Sequence, residues 1–305
     1  MPRYTPEQLV DAFYGPPPKP GQKKLEDLRK KVPKPERPKS ELDLSLAREL
    51  LGKDVFGPEE VQKAFGIEIH PDQIPPIPYS YEQLEKAKEL HEMLVLRVDK
   101  DSQGKPLTMQ NMSEIVIKKI GATEDKILYG QKTAGQPNLE DSCWYKDQPF
   151  FTAETSKLEW KLISKTIIPE STSKNYTEQT RRLRDYLETN QLATKQELDE
   201  CSDQKLQELE ALSKTENWQE AAKQLSELLI NQNHRRSAVE AFYDTLLAFD
   251  VNDERLLENI YDSTNSRSSD GYLVDFGSFF RSLGASVNHW EPDDRHGGLG
   301  VVSSR

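Results

Sequence analysis

Four groups of residues in this chain could do chemistry. Asp99, Asp101, Gln103 and Gly104 copy the opening of a calcium-binding loop. The closing position, which should hold a bidentate Glu, is Gln110, so the segment reads as a polar turn. The five histidines, His70, His91, His234, His289 and His296, include no pair at helix-facing or finger-type spacing. His289 and His296 could converge, but they lack a third close ligand. Cys143, beside Trp144 and Tyr145, is the one nucleophile candidate, and no base adjoins it in sequence. The only other cysteine, Cys201, is too distant in sequence to suggest a disulfide framework or a metal pair. Asp270, Asp275, Glu291, Asp293 and Asp294 could serve acid–base catalysis, although acids on turns are commonly solvated. No glycine-rich phosphate loop sits between a strand and a helix. These residues point to a non-enzymatic chain with no cofactor and no metal.

The elements that must position such residues are legible in outline. Residues 15–40 are rich in Pro, Lys and Arg and too poor in apolar residues to repay ordering, which predicts a flexible basic arm over residues 1–45. Residues 46–92 read as a helical region, with Ser80 and Gln83 spaced as a capping box. Met93 to Val98 and Leu158 to Ser164 read as strands, Lys126 to Tyr129 as a short one, and Thr108 as the cap of a helix ending at Gly121. Four helical stretches follow at 177–190, 194–213, 217–231 and 237–249, within an insertion spanning 175–250. The chain has 305 residues and a net charge of −11, which argues against nucleic acid and anionic membrane surfaces as partners. No apolar run approaches a membrane span, and the start lacks a signal-peptide core. The expected compartment is the cytoplasm, with surface display by another route left open.

The strongest signal lies in residues 261–305. This stretch has no Lys, Gln or Met, a single Glu (Glu291) and a single Trp (Trp290), although the preceding chain is dense in Lys, Gln and Glu. Tyr, Ser, Gly and Asn take their place, the mixture that adaptable recognition surfaces use. Tyr261–Thr264, Gly277-Ser278-Phe279, Pro292-Asp293 and Leu299-Gly300-Val301 ending at Arg305 follow one another in order. That order resembles the end of the C-type lectin fold of the formylglycine-generating-enzyme type, as found in target proteins of diversity-generating retroelements. From about Ile74 the chain also resembles an uncharacterised family of small-genome candidate-phylum bacteria with similar tails.

The resemblance implies an α+β fold: a C-type-lectin-like mixed sheet over residues 93–305, interrupted by the helical insertion and completed by the tail. It implies codons randomised at adenines, which reach every residue type except Glu, Lys, Gln, Met and Trp. On that reading Trp290 and Glu291 are fixed. The implied variable, ligand-binding positions are Phe276, Ser278, Phe280, Arg281, Ser282, Ala285, Ser286, Asn288, His289, Asp294, His296, Gly297 and Gly298. Gly277, Trp290, Pro292, Leu299, Gly300, Val301 and Arg305 are the implied scaffold. Ser303 stands where the family has an apolar strand residue. Catalytic members use a late cysteine pair, which this tail lacks. Glu291-Pro292-Asp293 echoes half of a calcium-dependent sugar-binding motif, and nothing supplies the other half. The expected function is binding of a protein or small molecule. The alternatives are an assembly protein using the helical region, or a divergent enzyme without its cysteines.

Overall fold

The computed structural model describes residues 43–121 and 126–305. The expected basic arm lies outside them except for Asp43 to Ser45, which open a helix. Asp43 caps α1 (Leu44–Leu51) by accepting the Leu46 amide at 2.8 Å. Gly57 and Pro58 then start α2 (Pro58–Phe65), and the Ser80–Gln83 capping box starts α3 (Tyr81–Glu89).

The fold is α+β, with two mixed sheets. In the first, β2 (Glu92–Arg97) lies between β1 (Val55–Phe56), parallel to it, and β3 (Glu159–Ser164), antiparallel to it. All six residues of β2 are buried, and alternation divides them between two cores. Met93 and Val95 join the main core, while Leu94 and Leu96 pack with Ala47, Leu84, Trp160 and Leu162. The main core also takes in Phe56 and Phe65, so the boundary expected at residue 92 is no break in packing.

The insertion is helical as expected, but two of its stretches are broken. Residues 194–213 form α6 (Lys195–Glu200) and α7 (Asp203–Ser213), because Ser202 recaps the chain on the Lys205 amide. Leu228, at φ −57° and ψ 133°, likewise separates α8 (Trp218–Glu227) from α9 (Leu229–His234). Before these comes α5 (Tyr176–Thr189), and before that α4 (Met109–Ile120), capped by Thr108. The insertion ends in α10 (Ala238–Asn252), whose Phe242 and Leu246 lie in the main core.

The second sheet has the order β6-β5-β4-β7, from β4 (Tyr261–Arg267), β5 (Leu273–Phe280), β6 (Gly284–Trp290) and β7 (Leu299–Gly300). Strand β7 runs parallel to β4. The chain then continues alongside β3. Ser164 N–H donates to the Ser303 carbonyl at 2.9 Å, and Leu162 and Arg305 exchange two backbone bonds at 3.0 and 2.9 Å. The tail therefore joins the two sheets. At the opposite edge, Ile127 and Tyr129 bond the backbone of Ala285, and the Trp144 indole donates to the Val287 carbonyl.

A buried chain of charges ties these parts together. The Arg97 guanidinium donates to Asp244 at 3.0 and 2.7 Å and pairs with Glu240. Asp244 also accepts from Arg236 at 3.2 Å. Arg236 in turn donates to Asp262, whose other oxygen accepts the Val302 amide at 2.8 Å. Strand β2, helix α10, strand β4 and the tail thus share one network of hydrogen bonds and ion pairs.

Candidate functional site

The outer face of the second sheet follows from register and alternation. Asp262, Phe276 and Val287 face one another across three strands and are all interior. Their strand neighbours Tyr261, Asp275, Ser286 and Asn288 therefore point the other way, with Trp290 two residues beyond Asn288. Tyr129 belongs to the same face: Leu128 bridges Ala285 and is buried, which turns Tyr129 toward Ser286, and its side chain is 55% exposed. Helix α5 covers one end of the face. There the Gln179 amide donates to the Leu299 carbonyl and Tyr176 Oη–H to the Thr264 carbonyl. The other end is open.

Of the expected binding positions, Ser286 and Asn288 are half-exposed on this face. His296 is exposed and stacks on Trp290, with centroids 5.5 Å apart and planes at 25°, and its edge faces Tyr261. The His296 ring is held by Gly298 N–H, which donates to Nδ1 at 3.2 Å. Gly297 and Asp294 are exposed in the same turn, where Asp294 accepts the Glu291 amide at 3.0 Å. Arg281 and Ser282 are exposed in the β5–β6 turn, and Phe280 is half-buried beside it.

Two expected positions belong to the interior. Phe276 is fully buried and meets Phe242 edge-on at 5.7 Å, and Ala285 is buried against Leu128. Neither can touch a ligand. His289 sits on the side of the sheet opposite Asn288, wedged between Trp144 and Tyr272 at 4.3 and 4.8 Å. It is therefore separated from His296 by the sheet. Ser278 adopts φ +52° at a bulge in β5, where its amide donates to the Ile260 carbonyl.

The expected scaffold positions have visible reasons. A Cβ at Gly277 would lie 2.2 Å from the Ile260 carbonyl oxygen, and one at Gly300 would lie 2.8 Å from both Ile167 and Ser171. Pro292, Leu299 and Val301 are buried, and Arg305 pairs with Glu92. Ser303 is buried with its hydroxyl unpaired, while its carbonyl serves the pairing with β3.

Asp275 is the residue whose importance sequence reasoning missed. Its carboxylate is buried beneath Trp290. Oδ1 accepts the Asn288 amide at 3.0 Å, and Oδ2 accepts the Trp290 indole N–H. Burial pushes this carboxyl up to about 7, against the pull of the Trp290 indole and of the Asn288 backbone and side-chain amides. It lines a hollow of about 10 Å³ together with Tyr176, Ser263, Leu273, Trp290 and Asp294.

Elsewhere the chemistry is quiet. Burial raises the Cys143 thiol, which disfavours the nucleophilic thiolate. Asp293 accepts from the Asn175 side chain, and Asp270 from the Ser268 hydroxyl. Asp101 organises the 99–104 turn by accepting the Gln103 and Lys105 amides. Among the described residues no group of three His, Cys, Asp or Glu could hold a metal ion, and no helix is long and apolar enough to cross a membrane. No family model, curated protein or solved structure matches this chain.

Proposed function

We propose that this protein is a binding protein whose ligand contacts the open end of the outer sheet face. Tyr129, Tyr261, Ser286, Asn288, Trp290 and His296 make up the surface. One observation carries the reading: the tail separates side chains that turn outward from side chains the packing cannot release. The outward set is aromatic and small polar, a composition suited to recognition on a rigid support. The buried set, Gly277, Leu299, Gly300 and Val301, supports the strands that hold it. This division agrees with the resemblance to retroelement-diversified targets on a C-type-lectin-like scaffold. In that scheme Ser286, Asn288 and His296 vary while Trp290 stays fixed.

The test is a binding screen of the full chain against a library of proteins and small molecules. A replacement of Tyr129, Ser286, Asn288 and His296 together by Ala is carried in parallel. Binders that recognise both chains equally would defeat the proposal. A genomic test is independent of it: a near-copy of the tail-coding segment, differing at adenines and lying beside a reverse transcriptase gene, is expected. The assembly alternative calls for an exposed apolar patch on the helical insertion. Among the described residues, the large apolar side chains that are exposed are Tyr129, Leu158 and Leu283, none of them in residues 177–249.

A further inference from the structure

We propose that Asp275 is a positioning residue for this face: ionised, it holds Trp290 in place, and on protonation it releases the indole. The proposal rests on reading the face as the binding surface. It begins from an unusual placement. The Asp275 side chain lies on a β-strand beneath the face, 2% exposed, and both carboxylate oxygens are taken by donors from the neighbouring strand β6.

The groups around it do not neutralise it. Asp262 on β4 is an acid already committed to Arg236 and the Val302 amide. From helix α5 comes Tyr176, whose ring is covered by the Arg235 guanidinium at 4.0 Å. From the turn after β6 come Glu291 and Asp294, and His296 lies on the far side of Trp290. Among the described residues no Lys, Arg or His forms an ion pair with Asp275. A buried carboxylate with hydrogen bonds but no counter-cation takes up a proton readily. Its shift to about 7 agrees with that placement.

Protonation changes what the two oxygens can do. A carboxylate accepts at both. A carboxylic acid keeps its carbonyl oxygen as an acceptor, but its hydroxyl oxygen carries the proton and accepts only weakly, so protonation weakens the hold on one of the two N–H donors. The Asn288 amide belongs to a strand held in register against β5, with Asp275 opposite Asn288 and Phe276 opposite Val287. The indole is a side chain, and it is the partner free to leave. The hollow beside Asp275 has room for one water, which supplies an acceptor for the acid proton. Release of Trp290 would also loosen its stack with His296, so the turn carrying Asp294, His296 and Gly297 shifts with it.

The experiment is a ¹H–¹⁵N titration of the full chain from pH 5.5 to 8.5, which needs no ligand. Trp290→Phe identifies the indole signal. The Trp290 Nε1–H and the Asn288 amide should move together with one midpoint near 7. The Trp160 indole, bonded to the Pro75 carbonyl, should stay still. Asp275→Asn should abolish the Trp290 transition, and His296→Gln should leave its midpoint in place. A transition that survives in Asp275→Asn or disappears in His296→Gln would overturn the proposal, as would the absence of any transition in the unaltered chain. If Asp275→Asn does not fold, the co-titration of Trp290 and Asn288 in the unaltered and His296→Gln chains decides the matter. Failure here would leave the binding screen unaffected, so the two readings fall separately.

Discussion

Replacing Asp262 by Asn tests whether the buried charges are holding the fold together. Asp262 is fully buried, accepts hydrogen bonds from Arg236 Nε at 2.9 Å and the Val302 amide at 2.8 Å, and pairs with Arg236 Nη2 at 2.8 Å. An Asn keeps one acceptor oxygen and turns an amide N–H₂ toward one of these donors. Where the N–H₂ faces Arg236, that buried guanidinium is left with the 3.2 Å contact to Asp244. Breaking a buried pair by removing one partner costs about 3–5 kcal/mol. In the other orientation the charge is still lost and the Val302 amide is the orphan, a penalty of about 1–3 kcal/mol. Against a typical total of about 5–15 kcal/mol, the loss is a large fraction. Urea unfolding at pH 8, followed by tryptophan fluorescence, should show the midpoint falling with the slope unchanged. The paired replacement Arg236→Met with Asp262→Leu removes both charges and should recover much of the loss, since apolar substitutes for a whole buried pair are often neutral. A cost below about 1 kcal/mol for Asp262→Asn, or a pair no better than the single change, would refute the reasoning.

Three other outcomes follow from the same geometry. Asp275 is raised in the folded chain from 3.8 to about 7, so its contribution to stability is fully present below 3.8 and is lost as pH rises through 7. The difference in unfolding free energy between Asp275→Asn and the unaltered chain should therefore swing in favour of the variant by about 4 kcal/mol between pH 4 and 8, and a flat difference would contradict it. Gly277→Ala places a Cβ 2.2 Å from the Ile260 oxygen and should destabilise by at least about 1–3 kcal/mol, read as a lowered Tm. Burial raises the Cys143 thiol and pushes Cys201 up to about 11, so both should react with a thiol reagent at pH 7.5 far more slowly in the folded chain than in urea. Equal rates would show the thiols to be accessible and ionisable.

What the sequence disclosed was local. Ser80 with Gln83, Thr108, and Ser237 with Glu240 mark helix starts because a cap and its target amide are three residues apart. Leu228 broke an expected helix without a Gly or Pro to announce it. The site was only partly legible, for a reason visible in the list itself. Ala285 and Ser286 are consecutive on one strand, as are Asn288 and His289, so neither pair can share a face. Alternation could have separated them, but the phase of β5 also depends on the bulge at Ser278, where the register shifts. Tyr129 could have been placed opposite Leu128, yet its arrival beside Ser286 depends on a pairing more than 150 residues distant in sequence. Asp275 looked like any turn acid, because burial is a tertiary property.

The pairing of the second sheet at both margins bears on what its face can safely become. A recognition surface that samples Tyr, Phe, Val and Leu is a hazard on a strand with unpaired backbone, because sticky side chains beside free N–H and C=O groups invite another chain to add on. Here the backbone from Arg281 to Val287 is engaged by residues 126–129 and by Trp144, and the far side is sewn to β3 by the tail. Apolar changes on the face therefore add adhesion without offering a template for strand-by-strand aggregation. A sheet with its edges covered in this way tolerates apolar substitutions on its face better than an open-edged one does.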